Sequence, residues 1–168
     1  MKKYIVILLV CSVALLSGCE SKSPLKGKWT ATYTVKNGME RPEKKGEIVL
    51  YINLEQKIEY AFTSKNFTKK ISQKLSSIEK VGEFDIPKTE EEIASELASE
   101  LTVNGVYNLY GKNINFYADS VTFADGSEMD FQDYQALNPA IGEGEYHEEF
   151  SLDGEKMNLG GLEFKRTE

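Results

Sequence analysis

Apolar and polar residues alternate along most of the chain, and the alternation is clearest near its start. Trp29, Ala31, Tyr33 and Val35 fall on one side of a period of two, and Thr30, Thr32 and Thr34 on the other. Aromatic and β-branched residues in that pattern predict a strand beginning at Lys28. Asn37-Gly38 reads as the turn that ends it. After a polar loop through Pro42 and Gly46, Ile48, Leu50 and Ile52 alternate with Val49 and Tyr51. Beyond Leu54-Glu55-Gln56 a second run sets Ile58, Tyr60 and Phe62 on one face. The two runs read as a hairpin.

The period then changes. Phe67, Ile71, Leu75 and Ile78 follow helical spacing, with Lys69, Lys70 and Lys74 elsewhere and Gly82 as a stop. Beyond Pro87, Thr89 and Glu92 make a capping box. Ile93, Leu97 and Leu101 supply the apolar stripe of a glutamate-rich helix. A helical insert is expected around residues 66–101. Its basic first helix and acidic second helix suit an antiparallel pair, although two separate surface helices satisfy the same pattern. Exposed ion pairs would add little to such a pair.

From Asn104 onward strands and tight turns return. Tyr107 to Phe116 and Phe150 to Leu159 each read as strand, turn glycine, strand. Between them Val121-Thr122-Phe123 and Met129-Asp130-Phe131 flank the turn Asp125-Gly126. Residues 132–143, with Asn138-Pro139 and Gly142, read as an irregular connection, and Gly160-Gly161 leads into a last strand, Leu162 to Lys165. Many short strands with turn residues between them favour a mainly β domain over residues 27–168, an antiparallel barrel or sandwich. A barrel of about 8–10 strands would leave no edge exposed.

The first residues differ from all of this. Met1-Lys2-Lys3 is a basic start, Tyr4 to Leu16 is a run of thirteen mostly apolar residues, and small residues lead to Cys19. Together they make an export signal over residues 1–18; the apolar run is too short for a transmembrane helix, which needs about 20 residues. Leu16-Ser17-Gly18-Cys19 resembles the lipobox of bacterial lipoproteins. The resemblance implies diacylglyceryl transfer to the Cys19 sulfur, cleavage after Gly18 and, usually, acylation of the new amino group. Two or more acyl chains hold a bilayer stably where one does so marginally. The chain would then sit in the cell envelope, on the outer membrane of a Gram-negative cell or the outer face of a Gram-positive membrane. Glu20, where an inner-membrane retention signal has Asp, points to the outer membrane, and residues 19–26 would be a tether.

Gly27-Lys28-Trp29 at the start of the first strand, with Arg166 after the last, is similar to the lipocalin arrangement and to small lipocalin-like bacterial lipoproteins. The resemblance implies an up-and-down barrel and structural roles: Trp29 closing one end, Arg166 packing over it. The chain departs from that pattern in lacking a Thr-Asp-Tyr motif and in placing its helical insert mid-barrel.

Charge and cysteine usage narrow the function. Residues 1–18 carry Lys2 and Lys3 and no acid, so their removal takes the formal charge from −7 to −9. So acidic a body should be repelled by nucleic acid and by anionic lipid, which leaves the lipid on Cys19 as the membrane contact. Cys11 leaves with the signal and Cys19 is lipidated, so the mature body has no thiol for a disulfide, a nucleophile or a metal site.

Candidate chemistry is sparse. His147, the only histidine, lies in Glu143-Gly144-Glu145-Tyr146-His147-Glu148-Glu149. It could serve a metal or acid–base site. On a period of two, however, Glu145, His147 and Glu149 share one solvated face, with Tyr146 and Glu148 on the other. Asp125, Asp130 and Asp133 miss the spacing of a calcium loop. No Gly-x-Ser-x-Gly elbow and no phosphate-cradling glycine loop is present. No catalytic, cofactor-binding or metal residue is expected.

Tyr33, Tyr51, Tyr60, Tyr107, Tyr110, Phe116, Tyr117 and Phe123 make the strands aromatic-rich. They would line either a ligand cavity or a filled core. The leading expectation is a lipid-anchored, non-catalytic envelope lipoprotein that holds a small apolar ligand in its barrel. The alternative is a protein-binding module, an inhibitor or envelope assembly accessory, acting through its surface.

Overall fold

The structure, a computed structural model, describes residues 23–41, 44–81, 86, 88–138 and 144–168. The export signal, the lipobox with Cys19, and Pro42, Gly82, Pro87, Pro139 and Gly142 lie outside the described residues.

The elements in chain order are β1 (Gly27–Arg41), β2 (Lys44–Phe62), β3 (Asn66–Lys80), α1 (Glu90–Leu97), β4 (Ser99–Tyr110) and β5 (Asn113–Phe123). β6 (Glu128–Asp130), α2 (Phe131–Leu137), β7 (Glu145–Asp153), β8 (Lys156–Leu159) and β9 (Leu162–Arg166) follow. Eight of these strands form a closed antiparallel up-and-down barrel in the order β1-β2-β3-β4-β5-β7-β8-β9. Pairing of β9 back onto β1 closes it. β6 is an addition, paired with the far end of β5 through Val121↔Met129. The barrel is lipocalin-like, as the strand pattern and the Gly-x-Trp resemblance imply.

The expected helical insert around residues 66–101 is corrected. Residues 66–80 are a strand, among the described residues of the segment only Glu90–Leu97 is helical, and Ser99 to Leu101 already belong to β4. Phe67, Ile71 and Leu75 are four residues apart, and four is a multiple of two as well as close to one helical turn. The inward positions between them hold Lys69 and Gln73, which hides the alternation. Phe62, Tyr60, Ile58, Gln56 and Leu54 of β2 pair with Phe67, Lys69, Ile71, Gln73 and Leu75 in turn, and this pairing overrides the local pattern. Ile78 joins the row through a register shift that leaves Ser76 unpaired. The capping box does form: Glu92 N–H donates to Thr89 Oγ1 at 3.2 Å and Thr89 N–H to Glu92 Oε2 at 2.8 Å.

Three smaller expectations change too. Asn37 and Gly38 lie inside β1, opposite Ile52 and Tyr51, rather than at a turn. Residues 48–62 are part of one nineteen-residue strand, not a hairpin. Leu54-Glu55-Gln56 contains no turn former and keeps the period. Within the connection 132–143, Phe131–Leu137 is a helix whose N-cap Asp130 accepts from Gln132 N–H at 2.8 Å. The turns at Gly111, Gly126, Gly154 and Gly160-Gly161 are where the sequence places them, each glycine with positive φ.

Strand lengths make the barrel lopsided. β1, β2 and β3 are 15, 19 and 15 residues long, whereas β8 and β9 have four and five. A tall wall therefore adjoins a short one. At the end near Trp29, residues 23–26, read from sequence as part of a tether, fold across the opening. Leu25 is fully buried there and its carbonyl accepts from Trp29 Nε1 at 2.7 Å. The Tyr107 hydroxyl bonds Ser23 Oγ at 2.6 Å and Thr63 O at 2.8 Å. This end is closed by the protein itself.

Candidate functional site

The inward residues of the closed half are packed ring against ring. Tyr60 stacks on Phe62 with centroids 5.3 Å apart, Phe62 meets Tyr107 at 5.0 Å, and Phe67 meets Phe116 at 4.9 Å edge to face. Phe164 joins through Tyr60 and Tyr146 through Phe116. Such contacts add stabilisation beyond the area they bury, and they fill the space that a ligand in this half would need. Of the eight aromatics singled out by sequence, Tyr60, Tyr107 and Phe116 sit in this stack. Tyr33 and Phe123 pack against the core while remaining partly exposed, and Tyr110 is 79% exposed. Tyr51 lies beneath the Lys36 ammonium at 4.2 Å, and Tyr117, next to the inward Phe116, faces the other way.

Two charged side chains, those of Lys69 and Glu148, reach this interior. Lys69 alternates with Phe67 and Ile71 and so points inward. Its ammonium sits over the Tyr60 and Tyr146 rings, at 5.4 and 5.5 Å from their centroids. Desolvation holds the Lys69 pKa below that of an ordinary lysine, with the nearby Glu148 carboxylate opposing the shift. Burial is also the main reason that Tyr146 is pushed up to about 12 and that Tyr60 lies well above an ordinary tyrosine. The two hydroxyls lie near enough to influence each other's ionisation. Glu148 faces inward between Tyr146 and Phe150. Its carboxylate lies so close to Gly160 that a methyl group there would collide with it. The sequence places Tyr146 and Glu148 on the inner face; it misses Lys69, whose position two residues from both Phe67 and Ile71 is the signal that would have found it.

Above this level a polar chain crosses the tall wall. Tyr33 Oη donates to Gln56 Oε1 at 2.6 Å, Gln56 Nε2 to Gln73 Oε1 at 2.7 Å, and Gln73 Nε2 to the Leu97 carbonyl at 3.2 Å. It ties β1, β2 and β3 to the end of α1. The groups satisfy one another, which makes this a structural network.

The barrel wall opens at the side. β1 pairs with β9 at Trp29↔Arg166 and Thr30↔Lys165 and no further. Beyond Thr30 the strands part around a cleft of about 590 Å³. Thr30 to Tyr33 form one side of it, and Leu162, Glu163, Lys165 and Thr167 the other.

No known protein family, curated protein or solved structure matches the chain.

The remaining sequence candidates fall as follows. His147, Glu145 and Glu149 are exposed on the outer face of β7. Asp125 Oδ1 accepts from Ser127 N–H and Oγ within its turn, Asp130 caps α2, and Asp133 lies in the first turn of that helix. These aspartates are spent on local structure. Trp29 is fully buried and the Arg166 guanidinium lies 4.5 Å from its ring. Cys19 lies outside the described residues.

Proposed function

We propose that this chain is a lipid-anchored, non-catalytic binding protein of the bacterial cell envelope, held to the membrane through Cys19 and acting through its surface. The observation that carries the surface reading is the filled closed half of the barrel. Seven aromatic rings occupy the closed half, and a cleft of about 590 Å³ opens in the side of the wall rather than among them. A carrier of apolar molecules needs an enclosed apolar cavity, and a protein-binding module does not.

The lipobox resemblance supports the anchor, and the position of Ser23 supports an orientation. Ser23 is hydrogen-bonded at the closed end of the barrel. Four residues span at most about 14 Å, so lipid on Cys19 would keep that end beside the bilayer. The tall β1–β3 wall would then point away from the membrane, toward partners in the envelope.

Two measurements test the proposal. Cys19→Ala should abolish labelling by radioactive palmitate and release the chain from the membrane fraction. A displacement screen with an apolar fluorescent dye should find no small molecule that binds at micromolar concentration. Retention of Cys19→Ala on membranes would refute the anchor; a saturable apolar ligand would refute the surface reading and restore a carrier.

A further inference from the structure

We infer that the free edge of β1 at the side cleft is a docking site for an extended peptide segment of a partner protein, which would pair as an added strand. The inference rests on the surface-binding reading and names the surface and its partner.

The register shows which backbone groups are available. Lys28 N–H donates to Glu168 O at 3.0 Å, and Lys28 O accepts from Thr167 N–H at 2.9 Å. Even-numbered residues of β1 therefore turn their backbone groups toward β9, and odd-numbered ones turn theirs toward β2. Thr30 is the last even residue opposite a β9 partner. Among the described residues no strand pairs with Thr32, Thr34 and Lys36 on that side, and β9 reaches only to Leu162 across the cleft. Their N–H and C=O groups recur about every 6.8 Å along an open edge. Only another extended backbone matches that repeat, which is the physical basis of strand addition.

The cleft beside this edge supplies selectivity. Ala31, Tyr33 and Leu162 give it an apolar floor on the barrel side, so alternate peptide side chains that face inward should be apolar. On the opposite wall Glu163 is bridged to Lys156 at 3.2 Å, whereas Lys165 has no ion pair among the described residues. A carboxylate on the outward face of the peptide complements Lys165. A second copy of this chain is a poorer occupant. The free stretch 31–41 of a second copy carries Lys36 and, of acids, Glu40 alone, so it is a poor complement to Lys165. The committed occupant is an acidic, alternating apolar segment of another protein.

The test is selection from a random octapeptide display library on the full chain in detergent, followed by synthesis of the enriched peptides. Enriched sequences should alternate with a period of two and carry an acid. Their binding should raise hydrogen-exchange protection at the Thr32, Thr34 and Lys36 amides at least tenfold. Thr34→Pro removes one edge N–H and leaves the β2 side of the strand intact; it should weaken binding at least tenfold. Should that variant misfold, N-methylation of alternate peptide amides reads the same bonds from the other partner. Methylation of one alternate set should abolish binding and of the other set should not. Lack of enrichment, or loss from both sets alike, overturns the inference. Peptides that bind a folded Thr34→Pro chain undiminished overturn this edge while leaving the surface-binding reading standing.

Discussion

Arg166 lies opposite Trp29 across the β1–β9 junction, its guanidinium carbon 4.5 Å from the centre of the indole ring. The pair stands where the barrel closes on itself. Trp29 is fully buried and fixed by its bond to the Leu25 carbonyl, while Arg166 Nη2 donates to Pro24 O at 3.2 Å. One pair of residues thus joins the first strand, the last strand and the segment that plugs the end. Arg166 Nε is buried without a hydrogen-bond partner and lies 3.8 Å from Glu155 Oε2, so the ring face carries much of the contact.

Trp29→Ala should destabilise the fold by roughly 3–5 kcal/mol, through lost burial and the cavity left behind. Arg166→Met keeps the aliphatic cover and loses the cation, and should cost about 0.5–2 kcal/mol. Urea denaturation of the two variants checks both values. Equal losses would mean that the ring and the guanidinium do not act in this order.

Gly105 is a second point of strict fit. It sits at a register shift between β4 and β5 that leaves Asp119 unpaired, and it is buried. A methyl there would collide with the Tyr117 carbonyl and come within 2.9 Å of the Phe67 ring. Backbone cannot move aside cheaply in a closed barrel. Gly105→Ala should cost about 1–3 kcal/mol or more, read as a lowered urea midpoint. Gly154→Ala is a comparison at an open turn, where backbone conformation alone resists the change.

The half-buried Lys69 predicts a pH dependence whose sign follows from its surroundings. An unfolded lysine titrates near 10.5, and folded Lys69 titrates lower because burial disfavours its charge. Between the folded and unfolded values the unfolded chain binds more protons, so this group makes stability rise with pH across that window. Below the window the full cost of burying the charge is present. Lys69→Met should therefore be more stable than the wild type at pH 7, with the gain shrinking as pH approaches 10.5. A gain that is constant from pH 7 to 10.5 would contradict this.

Tyr60 and Tyr146 act in the opposite sense. Their folded values lie above the ordinary 10.0, that of Tyr146 at about 12. Above pH 10 the folded state holds protons that the unfolded state has lost, so their stabilisation is complete below pH 10 and declines above it. An ultraviolet titration should show a late tyrosinate step near pH 12, and Tyr146→Phe should remove it. A step that survives the substitution would assign it to another tyrosine.

Much of this architecture is legible in the chain, and the parts that are not have identifiable causes. Trp29 to Val35 alternates cleanly because both faces of β1 keep to type, and the Gly-bearing turns from Gly111 onward announce themselves by residues that tolerate positive φ. β3 is illegible because Lys69 and Gln73 occupy inward positions. The features that make the strand look helical are the same ones that put a charge inside the barrel. The inward face of Tyr146 and Glu148 could be read from period two, but their meeting with Lys69 depends on barrel closure, which brings β3 and β7 face to face. The side cleft was likewise beyond reach, because it follows from β1 and β9 parting beyond Thr30↔Lys165, which no local pattern records.

The central claim is that the barrel is filled by its own side chains and works through its surface. Native mass spectrometry of the full chain, extracted gently from cell envelopes, tests it directly. The expected spectrum contains the protein with its covalent lipid and no non-covalent apolar adduct. A stoichiometric lipid or other apolar molecule that stays bound on transfer and leaves on mild activation would contradict the claim and show the barrel to be a carrier.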